Sequence, residues 1–167
     1  MKPVQPAPVQ LFSYTAETIQ FDVNPVYVEE EPDLPNTEEL SEERFDFIPE
    51  VISIPTQEEQ GTLRLTVGMN RDDEEWSSYY RLSITITGRF EWVDPDPSIP
   101  DDEFRKYYMQ SGLSLLYGII REKVIQLSSS SPYPRMMIPT ITFKGMVEEM
   151  ASQYSEEGQN EKNGAEE

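Results

Sequence analysis

Two stretches decide the fold class: Thr62-Leu63-Arg64-Leu65-Thr66-Val67-Gly68-Met69, and after a polar break Tyr80-Arg81-Leu82-Ser83-Ile84-Thr85-Ile86-Thr87-Gly88-Arg89-Phe90-Glu91-Trp92. In the first, Leu63, Leu65, Val67 and Met69 alternate with Thr62, Arg64, Thr66 and Gly68, the period of a strand buried on one face. The second continues the pattern: Tyr80, Leu82, Ile84, Ile86, Phe90 and Trp92 share one face, while Arg81, Ser83, Thr85, Thr87 and Arg89 take the other. Asn70 to Ser78, with Asp72, Asp73, Glu74 and Glu75, reads as the turn between them, so the pair is expected to form an antiparallel hairpin with one wet face. Gly88 is expected to mark a bulge. Phe90 and Trp92 belong by their alternation to the covered face.

Working outward, Leu11 to Val23 and Phe45 to Ile54 are two further strands, the second holding Pro49 and so expected at an edge, where a missing N–H is tolerated. Downstream, Pro95, Pro97 and Pro100 stop the sheet. Asp101, Asp102 and Glu103 then place carboxylates at a helix start, where the macrodipole favours them. This helix is expected to reach about Leu127. Phe104, Tyr107, Tyr108, Leu115 and Ile119 share one face; Leu113, Leu116, Tyr117, Ile120, Val124 and Leu127 share another. A helix on a sheet needs one buried stripe, so two imply a break near Ser111-Gly112 or a second surface to cover, naturally another subunit. A final helix is expected to carry Phe143, Met146, Val147, Met150 and Tyr154.

The protein has no His and no Cys. It therefore lacks the usual general base at neutral pH, the thiolate nucleophile and the commonest transition-metal ligands. No enzyme activity, metal or cofactor is expected. Catalysis by two carboxylates alone needs a placed pair, and none stands out. The most apolar stretch, Gly112 to Ile120, is too short for a bilayer-spanning helix, and the first residues show no export signal. A cytoplasmic location is expected.

With 32 Asp and Glu against 13 Lys and Arg, the formal charge is -19, which disfavours nucleic acid and anionic membranes as partners. Much of the acid is local, in Glu29 to Asp46 and Glu156 to Glu167. The organisation expected is a flexible start over 1–10, one domain over 11–154 interrupted by an acidic loop at 29–46, and a disordered acidic tail over 155–167.

Several motifs, in order, resemble the SecB family of chaperones. Leu115-Leu116-Tyr117-Gly118-Ile119-Ile120-Arg121-Glu122 followed by Pro132-Tyr133-Pro134-Arg135-Met136-Met137-Ile138-Pro139-Thr140-Ile141-Thr142-Phe143 is similar to the family's helix, its Phe-Pro loop and the Leu-rich segment ending in Asn-Phe. Gly88-Arg89-Phe90 matches a Gly-x-Phe in its third strand and Pro49-Glu50-Val51 a Pro-Glu-Val in its second. Tyr14-Thr15 through Ile19-Gln20-Phe21-Asp22 is similar to its first strand. The similarity runs from Phe12 to Met150, with Gly118 where the family has Pro.

The resemblance implies an α+β fold, a four-stranded antiparallel sheet with two helices packed on one face, assembled as a homodimer or homotetramer. It also implies ATP-independent holding of unfolded polypeptide clients. Tyr117, Tyr133, Met136, Met137 and Ile138 are nominated for client contact, because adaptable Met and aromatic side chains suit a groove for varied apolar segments. Leu113, Leu116, Ile120 and Val124 are nominated for the subunit interface. The family members that serve the export motor SecA dock it through acidic residues on the outer sheet face: Asp22 matches one and Glu17 lies nearby, but the third-strand position falls on Ser83, flanked by Arg81 and Arg89. SecA docking, protection of an antitoxin, and an adaptor role with one dedicated protein partner all stay open.

Overall fold

The computed structural model describes residues 8–25, 45–54, 60–71, 78–93, 98–133 and 135–152. Most of the acidic loop at 29–46, the tail over 155–167, residues 1–7, the turn carboxylates Asp72 to Glu75, Pro95, Pro97, Pro134 and Tyr154 lie outside them. The described residues carry Lys and Arg in nearly the same number as Asp and Glu, so nearly all of the -19 resides in the remaining segments.

Four strands, β1 (Val9–Val23), β2 (Phe45–Ser53), β3 (Gly61–Met69) and β4 (Tyr80–Trp92), form one antiparallel sheet in the order β1-β4-β3-β2. They are followed by α1 (Asp101–Ser129) and by a second helix, α2, over residues 144–152. The hairpin of alternating strands thus becomes the centre of the sheet, and β2, with Pro49, becomes an edge. Asn70 begins the turn with φ 51, a left-handed conformation that Asn tolerates, and its side chain donates to Ser78 Oγ at 2.6 Å and to the Tyr80 carbonyl at 3.2 Å.

The register from Gly61↔Phe90 to Met69↔Leu82 is uninterrupted, so Gly88 marks no bulge. Its absent side chain serves packing instead: a Cβ there would lie 2.7 Å from Leu116 Cδ2 and 2.8 Å from Phe90 Cε2. Gly112 is its counterpart on the helix, where a Cβ would come within 2.5 Å of Leu63 Cδ1. The two glycines let α1 lie close on β3 and β4, and the helix runs through Ser111-Gly112 without a break. Irregularities fall in β1, between Leu11 and Ser13 and between Ala16 and Thr18, and in β2, between Val51 and Ser53. The second returns Ile19 to the helix side opposite Ile84, where Tyr14 already stands opposite Gly88.

Leu63, Leu65, Val67 and Met69 of β3 and Leu82, Ile84, Ile86 and Phe90 of β4 are fully buried, and Trp92 is partly buried beside them. Leu113, Leu116, Ile120 and Val124 are equally buried within this one protomer. The stripe nominated for a subunit interface is therefore the core stripe, and the nomination is corrected. Sequence periodicity identified two apolar faces but could not say which met the sheet. The other expected face is divided: Phe104 and Tyr108 are buried as well, and Tyr107 and Leu115 are exposed, with Ile119 half-buried.

Candidate functional site

Between α1 and α2 the described residues 130–133 and 135–143 hold no regular secondary structure. From Arg135 to Pro139 burial in this strap alternates, with Met136 and Ile138 buried at 6% and 3% exposure and Met137 standing out at 70%; the phase then shifts, Thr140 and Thr142 being exposed, Ile141 half-buried and Phe143 buried at 1%. Alternation with a period of two is the signature of an extended segment lying on a surface.

Side chains hold the strap at successive points. Tyr133 stacks on Tyr79 with ring centroids 4.6 Å apart, and its hydroxyl donates to the Asn24 carbonyl at 3.2 Å. Asn24 is itself fixed to the sheet end, its N–H donating to the Tyr79 carbonyl and its side chain to that of Ser78. Tyr80 donates to Ser131 Oγ at 2.9 Å. Ser128, in the last turn of α1 and almost fully buried, accepts the backbone N–H of Met136 at 3.1 Å and donates to the Val124 carbonyl at 2.8 Å. Tyr117 donates to the Pro139 carbonyl. Its ring meets Phe47 on β2 and Phe143 edge-on, at 5.8 Å in each case. Burial raises the pKa of the Tyr117 and Tyr80 hydroxyls, so both remain donors through the ordinary pH range.

Of the residues nominated for client contact, Tyr117, Tyr133, Met136 and Ile138 are buried in the core, Tyr133 at the sheet end and Tyr117 beside Pro139 and Phe143; Met137 alone of the five presents free surface. Sequence reasoning missed Ser128 and Asn24. The run Ser128 to Ser131 reads as a loop, and only the helix's continuation through Ser129 turns Ser128 inward.

The opposite face of the sheet is polar. Arg64 on β3 donates to Glu50 on β2 at 2.9 Å and, across β4, to Glu17 on β1 at 3.2 Å. Thr87 on β4 donates to the same Glu17 carboxylate at 2.6 Å. Asp22 accepts from Arg81 at 2.8 and 3.0 Å and from Gln20 at 2.9 Å. The Thr87 hydroxyl, with help from Arg64, lowers the Glu17 pKa; Gln20 and then Arg81 lower that of Asp22. Both residues nominated for partner docking face outward, yet each is tied to an arginine of its own sheet. Among the described residues no three potential ligands form a group that could hold a metal, and no helix is long and apolar enough to cross a membrane.

No family model matches the sequence, and no curated protein matches it. Solved structures do. The SecB-like chaperone Rv1957 of Mycobacterium tuberculosis, in complex with a ChAD peptide from the antitoxin HigA1, superposes with a TM-score of 0.52 at 16% identity, covering 81% of this chain and 88% of that one. A protein of unknown function from Streptococcus agalactiae matches with a TM-score of 0.42 at 10% identity, over 79% of this chain and 97% of that one. The first likeness establishes the fold: a SecB-like antiparallel sheet with two helices, as the sequence motifs implied.

Proposed function

We propose that this protein is a SecB-like chaperone that binds unfolded or non-native polypeptides without ATP and keeps them soluble in the cytoplasm. The observation that carries the reading is the strap: a length of extended polypeptide seated by its alternate apolar side chains against α1 and the sheet, and held by hydroxyls on backbone groups. A surface that holds one extended segment in this way suits another. The mycobacterial structure supports the same direction, because a SecB-like fold there holds a peptide. The absence of His and Cys from the sequence favours a binding protein over an enzyme.

Acid carried outside the described body keeps client complexes dispersed through net charge. The exposed stripe of Tyr107 and Leu115 on α1, with Tyr14 and Ile19 on the adjoining β1, supplies an apolar face for self-association into a dimer or tetramer. Docking of SecA is disfavoured, since Glu17 and Asp22 would have to leave Arg64 and Arg81 first.

A second reading, a chaperone dedicated to one partner such as an antitoxin, is favoured by the antitoxin peptide bound to the mycobacterial protein. Aggregation assays separate the two. General holding requires that the protein suppress aggregation of several unrelated denatured proteins, equally with and without nucleotide. Suppression of none, with tight binding to one partner, would leave the dedicated role.

A further inference from the structure

Tyr117, nominated for client contact, lies against a piece of the protein's own polypeptide, residues 135–143, whose Met136 and Ile138 are buried in the core. We propose that residues 135–143 act as an internal occupant of the client groove, and that the clients are extended segments with apolar side chains at alternate positions, which take the strap's place. The proposal rests on the polypeptide-binding reading above and specifies its substrate.

Met136 and Ile138 enter the core two residues apart, with Met137 between them at 70% exposure. Any extended segment with apolar residues at i and i+2 presents the same two side chains to the same side. The polar anchors are equally unselective. Ser128 accepts a backbone N–H and Tyr117 donates to a backbone carbonyl, groups found at almost every position of an unfolded polypeptide. A client arriving in register therefore satisfies the buried Ser128 and Tyr117 hydroxyls as the strap does, so exchange leaves no buried polar group stranded.

The strap can be released with the sheet's ladders intact. It belongs to no strand ladder, whereas β3 and β4 are locked on both sides by register-matched neighbours. Tyr133, stacked on Tyr79 and bonded to the Asn24 carbonyl, fixes the polypeptide to the sheet end ahead of the strap. The arrangement makes holding reversible without ATP, because the strap competes for its own site and returns when the client leaves.

Amide hydrogen exchange on the full-length protein tests this, with two short synthetic peptides of identical composition, one alternating Ile and Thr and one with the same residues in blocks. In the free protein the Met136 amide should be protected. Saturation with the alternating peptide should accelerate its exchange by about tenfold or more, and the blocked peptide should bind several-fold more weakly. Ser128→Ala removes an anchor that strap and client share; it should speed Met136 exchange in the free protein and keep the preference for the alternating peptide. Unchanged or greater Met136 protection with peptide or unfolded protein bound, equal affinity for the two peptides, or unchanged Met136 exchange in the free Ser128→Ala variant would each overturn the proposal while leaving chaperone binding intact. Failure of every unfolded polypeptide to bind would overturn the function and the proposal together.

Discussion

Arg64 on β3 reaches across the neighbouring strand β4 to clasp Glu17 on β1, Nε to Oε2 and Nη2 to Oε1 both at 3.2 Å. Three strands are thereby tied by one pair, and Glu50 on β2 brings in the fourth at 2.9 Å. The ladder is possible because the irregularity between Ala16 and Thr18 interposes Glu17 on the polar face just where Arg64 and Thr87 stand opposed.

The pH dependence of this ladder has a definite sign. Glu17 and Asp22 both have pKa values lowered in the fold, so their contribution is present above the ordinary carboxylate range and lost as pH falls through the depressed values. Glu17→Gln should melt modestly lower than the parent near neutrality, and the two curves should converge in acid. A gap that persists or widens in acid would show that Glu17 acts otherwise than through its charge.

Three glycines separate packing from propensity. Gly88→Ala and Gly112→Ala place a methyl into Leu116 and Leu63 and should each destabilise by about 1–3 kcal/mol, the cost of overpacking. Gly118 has nothing within 4 Å of its would-be Cβ and stays helical, so Gly118→Ala should stabilise by about 0.5–1 kcal/mol. Urea denaturation measures all three. A neutral Gly112→Ala would contradict the close approach of α1 to β3.

Self-association is expected through the outward stripe and not through the core stripe. Light scattering should give a multiple of 19.3 kDa. Tyr107→Ser with Leu115→Ser should lower the mass while preserving circular dichroism, because both side chains are exposed in the single protomer. Leu116→Ala should instead cost about 2–5 kcal/mol of folding stability. A monomeric parent would remove the apolar-face argument.

The residues after Tyr154 carry Glu156, Glu157, Glu161, Glu166 and Glu167 and no apolar periodicity. A protein ending at Tyr154 should melt at nearly the parent's temperature. A loss of several degrees would show that the tail is docked on the body.

Much of this fold was legible because alternation is a local signal: Leu63 to Met69 and Tyr80 to Trp92 specify both face and pairing. Pro49 on β2 likewise reported an edge strand. Gly88 misled because a bulge and a close helix approach call for the same residue, and only the position of Leu116 distinguishes them. The orientation of α1 was illegible for a similar reason: Leu116 and Leu115 are neighbours in sequence, and tertiary packing decides which meets the sheet. The site was half legible. Tyr117, Tyr133, Met136 and Ile138 all pack into the core, and their burial depends on Ser128, which bonds Met136 eight residues on, and on Asn24, which is far from Tyr133 in sequence.

The most direct test of the central claim is fluorescence anisotropy of a single labelled protein presented to this one both in its native form and held unfolded by reduction, without nucleotide. Saturable binding of the unfolded form and none of the native form, with no change on adding nucleotide, are the predicted results. Equal binding of both forms, or of neither, would contradict the account.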